Sequence, residues 1–306
     1  MFGTKYFAIP CVALMITGGV AWADPSGAQT ATTAQLLKDV GGSERINYAG
    51  KLRMLSQRIP AAACNLHAGV GDGASAQILE AASEEFNKII NALEHGDPSL
   101  NIKGREGRRK TLEAIADVRQ EWEPVVAAAR LVRNEGMSDG LNQQMADQNG
   151  PLLEAAKLLV SQITGAYSDP AAVLQSDAIR IDIAGRQRML SQRISKDICF
   201  VLSGVNVDQS TASLKKTVAL FDVSHNALQF GKLDVGLKAP RDPQIIEGMR
   251  IVADHWAGLQ PSLTQVLETG TLSEPARLQV FKGLNALLVD MNKVVGMFAR
   301  VSKQNI

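Results

Sequence analysis

The chain of 306 residues has few aromatic side chains and almost no excess charge, and each scarcity excludes a class of protein. Phe, Trp and Tyr make up 5% of it and runs of β-branched residues are rare, which disfavours an all-β fold. The 32 basic residues are balanced by 31 acidic ones. Because nucleic-acid-binding domains carry a positive field, we expect no nucleic-acid partner, and any anion site must be local.

Recognisable catalytic and metal-binding patterns are also missing. The four histidines lie at positions 67, 95, 225 and 255, without the spacing of metal ligands. No nucleophile elbow, no phosphate loop and no Cys-x-x-Cys pair occurs. We therefore expect that the protein is not an enzyme and has neither a metal site nor a cofactor.

A short basic run is the nearest thing to a glycine-rich anion loop. Residues 104–110 read GREGRRK, without the Walker spacing and without a preceding predicted strand. The run is typical of a solvated helix start. Docking of an acidic partner or of lipid headgroups is the alternative that the sequence leaves open.

After its first 23 residues, the chain has no apolar run long enough to cross a membrane. Lys5 precedes an apolar stretch over residues 7–20, and the Ala-Trp-Ala triplet at 21–23 has the small-residue pattern of a cleavage site. We predict that residues 1–23 are a cleaved signal peptide and that the mature protein is periplasmic. An uncleaved membrane anchor is the alternative.

One segment of the chain occurs twice. Residues 46–59 read INYAGKLRMLSQRI and residues 181–194 read IDIAGRQRMLSQRI, with ten of fourteen positions identical. The second copy starts 135 residues after the first, and the same offset relates Cys64 to Cys199. These matches predict a tandem duplication of a unit of about 135 residues, a size that suits one domain.

Each half has the pattern of four long helices separated by Gly, Asp, Asn and Pro breakers. The predicted helices cover residues 32–70, 74–94, 107–133, 140–166, 171–202, 209–230, 243–268 and 273–301. Four such helices with short loops predict an antiparallel four-helix bundle. The expected fold class is therefore all-α, with two tandem antiparallel four-helix bundles in residues 24–168 and 169–306.

The short connection between the halves constrains how they pack. Only residues 167–170 separate the last helix of the first half from the first helix of the second. Both bundles then start at the same pole, which favours side-by-side packing with parallel motif helices. End-to-end bundles joined by one continuous helix are the rival arrangement, and Pro170 disfavours it.

A helical wheel shows that the residues identical in the two motifs include a second face, away from the apolar stripe. Glycine at the centre of this face would let the two motif helices approach closely. Facing arginines would repel unless an anion lay between them, and the planar guanidinium suits a flat oxyanion. The predicted ligand-binding residues are Gly50, Arg53, Gly185 and Arg188. Pairing of each arginine with a carboxylate such as Glu44 or Asp182 is the alternative.

Further residues of the motif helices are expected to support this site. Those predicted to do so are Gln57, Arg58, Gln192 and Arg193. For the second arginine of each motif, a salt bridge to a neighbouring helix is an equal alternative. Cys64 and Cys199 fall on the same face as the first arginines, so we predict a disulfide between them in an oxidising compartment. Two separate buried thiols are the alternative.

The motif resembles two related families of sensor domains. A-G-x-x-R-M-x-S-x-R is similar to the P-box of NarX-type nitrate/nitrite sensors, and the longer I-N/D-x-A-G-x-x-R-M-L-S-Q-R resembles the N-terminal domain of PilJ-type type IV pilus methyl-accepting chemotaxis transducers. In the nitrate sensors, four-helix bundles dimerise through the motif helices and bind nitrate with the Gly and the first Arg. The resemblance therefore points to Gly50 and Arg53, with Gly185 and Arg188 in place of the second subunit.

The resemblance implies a small-oxyanion binding or sensing protein, with nitrate or nitrite as the first ligands. Those sensors carry membrane helices and a signalling module, whereas this chain ends at Ile306 directly after the last predicted helix. We therefore expect no output domain of its own and a membrane-bound signalling or transport partner. A structural adaptor that docks to a pilus-linked or sensory membrane complex, with the motif face as interface only, is the alternative.

Overall fold

The computed structural model describes residues 42–71, 73–167 and 175–304. In these ranges it contains eight α-helices and two single-turn 3₁₀ helices, and no strand beyond two isolated bridges. The predicted all-α fold class is thereby confirmed. The predicted signal peptide, residues 1–23, and the predicted boundary at 168 and 169 lie outside the described residues.

The helices follow the predicted order closely. They are α1 Gly42–His67, α2 Ala74–His95, α3 Arg109–Glu135, α4 Asp139–Tyr167, α5 Gln175–Leu202, α6 Val207–Phe230, α7 Pro243–Thr269 and α8 Glu274–Gln304. A 3₁₀ turn follows α2 at Pro98–Leu100 and another follows α6 at Leu233–Val235. None of the helices in the described ranges combines the length and apolar character needed to span a bilayer.

Each half packs as an antiparallel four-helix arrangement. In the first half α1 lies against α2 and α4, and α3 lies against the same two helices; in the second half α5 and α7 each pack against α6 and α8. The motif helices α1 and α5 pack directly against each other. Their apolar faces, which include Leu52, Leu55 and Ile59 in α1, are fully buried and provide the core.

The two halves lie side by side with parallel motif helices. Asp182, in the first half of α5, contacts Arg53 in the middle of α1, and Cys199 contacts Cys64 near the end of both helices. The two contacts follow the same order along both helices, as parallel packing requires. This confirms the side-by-side arrangement and contradicts the end-to-end rival.

The same local structure occurs in both halves. Each half has a phenylalanine ring packed against a tryptophan ring, and the indole N–H donates to the side chain of the residue that follows the phenylalanine. The ring pairs are Phe86–Trp122, with centroids 4.2 Å apart, and Phe221–Trp256, at 4.1 Å. The acceptors are Asn87 Oδ1 at 2.7 Å and Asp222 Oδ1 at 2.6 Å. The second and third helices of each half are thus joined by an equivalent contact.

The loop after the second helix is also equivalent in the two halves. Gly96 and Gly231 have φ angles of 83° and 81°, and a Cβ atom would lie 2.8 Å and 2.7 Å from backbone atoms, so only glycine fits. An arginine near the start of each motif helix holds this loop. Arg45 donates to the carbonyl of Gly104 at 2.5 Å, and Arg180 donates to that of Lys238 at 2.8 Å.

Candidate functional site

The first arginine of each motif reaches across to the other motif helix. The Arg53 side chain is 12% exposed, and Arg188 is 6% exposed. Arg53 Nη2 lies 3.5 Å from Asp182 Oδ1, and Arg188 Nη2 donates to Asn47 Oδ1 at 3.4 Å. Asn47 and Asp182 are equivalent positions of the two motifs, so the two contacts are reciprocal. The structure thus brings both arginines to the interface between α1 and α5, which we call the seam.

Burial dominates the electrostatics of both arginines. Removal from water lowers the pKa of Arg188 to about 10, and the positive charge of Arg53 contributes in the same direction. Burial also lowers the pKa of Arg53, while the Asp182 carboxylate opposes this change. Arg188 nevertheless stays cationic at neutral pH. Two sparsely hydrated cations therefore face one seam, with the Asp182 carboxylate 3.5 Å from Arg53.

Not all hydrogen-bond donors of the two motif arginines are used in the structure. The Nε atoms of Arg53 and Arg188 are both buried without a partner in the structure. Arg188 Nη1 donates to the Asn292 amide at 3.2 Å, so its described partners are neutral. Since buried polar groups are normally satisfied, unpaired guanidinium N–H groups mark a place where an anion would be stabilised.

The alternative of internal carboxylate pairing holds for one arginine. Asp182 lies within ion-pair distance of Arg53, but its shorter contact is to Arg186 Nη2, at 2.6 Å, on its own helix. Glu44 is not among the carboxylates within 4.0 Å of either motif arginine in the described residues. The seam is therefore asymmetric, with a carboxylate beside Arg53 and an amide beside Arg188.

The prediction that the motif glycines let the two motif helices approach closely is wrong. A Cβ atom at Gly50 would meet only Nη2 of Arg53, and a Cβ atom at Gly185 would meet only Nη2 of Arg188, each at 3.6 Å. No atom of the opposite helix lies within 4 Å of either position, so the glycines are not the point of closest approach. Instead, each leaves space into which the guanidinium of its own helix folds back by one turn.

Gln57, Gln192 and Arg58 lie on the seam, further along the helices. Gln57 is fully buried, and its Nε2 donates to Ser56 Oγ at 3.2 Å. Arg58 Nη1 crosses to the second half, where it donates to Gln192 Oε1 and to Asn285 Oδ1, both at 2.9 Å. The two contacts of Arg58 join the halves. No described hydrogen bond connects the side chain of Gln57, Arg58 or Gln192 directly to the side chain of Arg53 or Arg188.

Arg193 differs from its equivalent, Arg58. It donates through Nε to Ser213 Oγ at 3.1 Å and lies 3.9 Å from Asp197, both within the second half. Lys196 makes the contact from the second half to the first: its Nζ donates to Asn149 Oδ1 at 2.9 Å. The motif comparison missed Lys196 because its counterpart in the first half is an alanine.

The cysteines lie at the far end of the seam. A disulfide joins Cys64 to Cys199, with the Cα atoms 6.1 Å apart, and both side chains are buried. Pro60, inside α1, does not prevent this approach. The seam is thus closed covalently at one end and has the two motif arginines toward the other.

Comparison with known proteins agrees with this architecture. The chain matches the family described as type IV pili methyl-accepting chemotaxis transducer N-term over residues 33–149 and 171–279. It is also 24% identical to Protein PilJ of Pseudomonas aeruginosa over 233 residues, which cover 73% of this chain and 32% of that protein. The chain thus spans about a third of the length of this curated relative. Because the family match covers most of its residues, the chain belongs to the family of type IV pili methyl-accepting chemotaxis transducer N-terminal domains.

Proposed function

We propose that this protein is an exported sensory protein that binds one small oxyanion in the seam between α1 and α5. The observation that carries the proposal is the pair of buried arginines, Arg53 and Arg188, whose Nε groups have no partner among the described residues; a carboxylate lies beside Arg53, and the hydrogen-bond partners of Arg188 are neutral amides. An anion bound there would relieve the repulsion of two desolvated cations. A flat oxyanion suits the planar guanidinium fork, so nitrate and nitrite are the first candidates.

In this proposal the two halves take the place of two subunits. We infer a tandem duplication from the repeated motif, from the equivalent Phe–Trp pairs and loops, and from family matches in both halves. The reciprocal contacts of Arg53 with Asp182 and of Arg188 with Asn47 are what a two-subunit site would become inside one chain. The protein would then be an intramolecular pseudo-dimer.

The bound state would be passed to another protein. The matched family is one of transducer domains and not of enzymes, and the described residues include no signalling module besides the two helical halves. We infer a periplasmic protein that works with a membrane-bound component of a pilus-linked or chemosensory system.

An adaptor without a ligand is the second candidate. The observation that favours it is that the two halves are joined across the seam by the disulfide and by the hydrogen bonds of Arg58 to Asn285 and of Lys196 to Asn149. A seam fastened in this way needs no anion for its cohesion. The protein would then present its outer helices to a membrane complex.

Thermal unfolding with a panel of anions separates the two candidates. We expect nitrate, nitrite, sulfate or chloride, compared at constant ionic strength, to raise the Tm of the mature protein by mass action on the folded state. Arg188→Ala should abolish the increase. Arg193→Ala is the matched control, because that arginine is directed away from the seam, and it should keep the increase. A Tm that responds to none of these anions would favour the adaptor.

A further inference from the structure

Two loops lie at the pole of the molecule where the motif helices begin. The first, residues 96–108, connects α2 to α3, and the second, residues 231–242, connects α6 to α7. Arg45, near the start of α1, is bonded to the first loop, and Arg180, near the start of α5, to the second. Since α1 and α5 run parallel, both loops belong to the same end of the molecule.

Both loops and the start of α3 are rich in exposed cations. Residues 96–110 and 231–242 contain eight basic and four acidic side chains, in a chain of formal net charge +1. The exposed cations are Lys103, Arg105, Arg108, Arg109, Lys110, Lys232, Lys238 and Arg241. Three of these cations lie within 4.0 Å of a carboxylate, namely Arg108 near Glu106, Arg109 near Glu113 and Lys232 near Asp234. Basic side chains nevertheless outnumber acidic ones by eight to four in the two ranges. This end of the molecule therefore carries a local positive charge.

Exposed apolar side chains project from the same place. The three at the second loop are Phe230, 70% exposed, Leu233, 80% exposed, and Val235, 47% exposed. The positions equivalent to the first two in the first half are His95 and Pro98, so the apolar tip is particular to the second half. Such a cluster has no role in the core and marks a surface that contacts something else.

We propose that this end, which we call the basic pole and define by residues 96–110 and 230–242, docks on a membrane surface that contains anionic phospholipids. Lipid phosphates attract clustered Lys and Arg, while a projecting phenylalanine and leucine enter the boundary between headgroups and acyl chains. Protein interfaces, by contrast, are depleted of lysine, and their apolar anchors are seated in pockets. A convex apolar tip surrounded by cations therefore fits a lipid surface better than an acidic protein.

Two sets of substitutions separate the contributions of charge and apolar contact. The charge variant combines Lys103→Gln, Arg105→Gln and Lys110→Gln, and leaves Arg108 intact because its guanidinium stacks on the Tyr167 ring at 4.2 Å. Its matched control removes three cations far from the pole: Arg130→Gln, Lys215→Gln and Lys216→Gln. The apolar variant combines Phe230→Ser with Leu233→Ser. Its control combines Leu220→Ser with Val223→Ser, two residues of α6 that are 53% and 57% exposed and lie outside the second loop.

Co-sedimentation of the mature protein with vesicles tests the proposal. We expect binding to vesicles of phosphatidylcholine with phosphatidylglycerol, weaker binding at high salt, and little binding to phosphatidylcholine alone. The charge variant should bind on the order of tenfold or more weakly, and the apolar variant should also bind less, whereas both controls should match the wild type. Circular dichroism should show unchanged helix content in all four variants.

Absence of binding to anionic vesicles would overturn the proposal. So would equal losses in the variants and their controls, or capture by polyaspartate in place of vesicles, which would indicate an acidic protein partner. None of these outcomes bears on anion binding in the seam, because the pole and the seam use different residues.

Discussion

At the scale of single residues, one difference between the two motifs makes the seam asymmetric. The two motifs agree at their first arginine, but one has Asn47 where the other has Asp182. A helical wheel predicts correctly that Arg53 of α1 and Arg188 of α5 both lie at the interface between these helices. The wheel does not show side-chain rotamers. It therefore predicted a contact between helices at Gly50, where the space beside the glycine is instead occupied by the guanidinium of Arg53.

Replacing Asp182 by asparagine should strengthen anion binding. The carboxylate competes with an external anion for Arg53, and it is 42% exposed, so its removal should raise affinity only about threefold to fivefold. Asn47→Asp, which places a carboxylate beside Arg188, should lower affinity. Isothermal titration calorimetry with nitrate measures both changes. Weaker binding by Asp182→Asn would mean that this carboxylate helps to form the site.

At the scale of helices and loops, much of the structure could be predicted from breakers and caps. Gly96 and Gly231 end their helices in conformations that only glycine adopts readily, and Asp242 caps the helix that Pro243 begins. The buried network of Glu106 could not be predicted, because its partners come from distant parts of the chain. Tyr167 donates to Glu106 Oε2 at 2.7 Å, and Arg45 lies 3.8 Å from the same atom.

Glu106 should make stability depend on pH in the acid range. Burial alone would raise the pKa of Glu106, but backbone N–H groups of Arg108 and Gly107 and the Tyr167 hydroxyl hold it below its ordinary 4.5. A lowered folded-state pKa stabilises the protein above pH 4.5, and this contribution is lost as the pH falls through the folded-state pKa.

Glu106→Gln should therefore cost about 1–3 kcal/mol in the free energy of unfolding at neutral pH and less in acid. Urea unfolding at several pH values measures this difference. The control is Glu113→Gln, whose side chain is exposed in α3 and which should change stability little at any pH. An equal cost of Glu106→Gln at pH 7 and well below 4 would contradict the assignment.

At the scale of the whole molecule, the short link between the halves and the motif periodicity were enough to predict side-by-side packing. The cross-contacts that fasten the halves were harder to predict. Arg58 and Lys196 reach Asn285 and Asn149 from non-equivalent positions, so comparison of the two motifs could reveal only one of them. The contacts that join the halves therefore depend on differences between the two motif helices as well as on their shared residues.

The disulfide should stabilise the packed pair of halves. It closes a loop of 135 residues, and its loss should cost about 2–5 kcal/mol in the free energy of unfolding. Cys64→Ser, Cys199→Ser and the double variant should therefore have similar, lowered Tm values, and dithiothreitol should lower the Tm of the wild type alone. Mass spectrometry after alkylation is the direct check. Two freely labelled thiols in unfolded, unreduced mature protein would contradict the bond.

The central claim is that one anion is shared by Arg53 and Arg188, and a double-mutant cycle measured by titration calorimetry tests it most directly. We predict one nitrate or nitrite bound per chain in the wild type, loss of binding in Arg53→Ala and in Arg188→Ala, and no greater loss in the double variant, because a single guanidinium leaves the shared site incomplete. Full binding by either single variant, or two anions per chain, would contradict the claim.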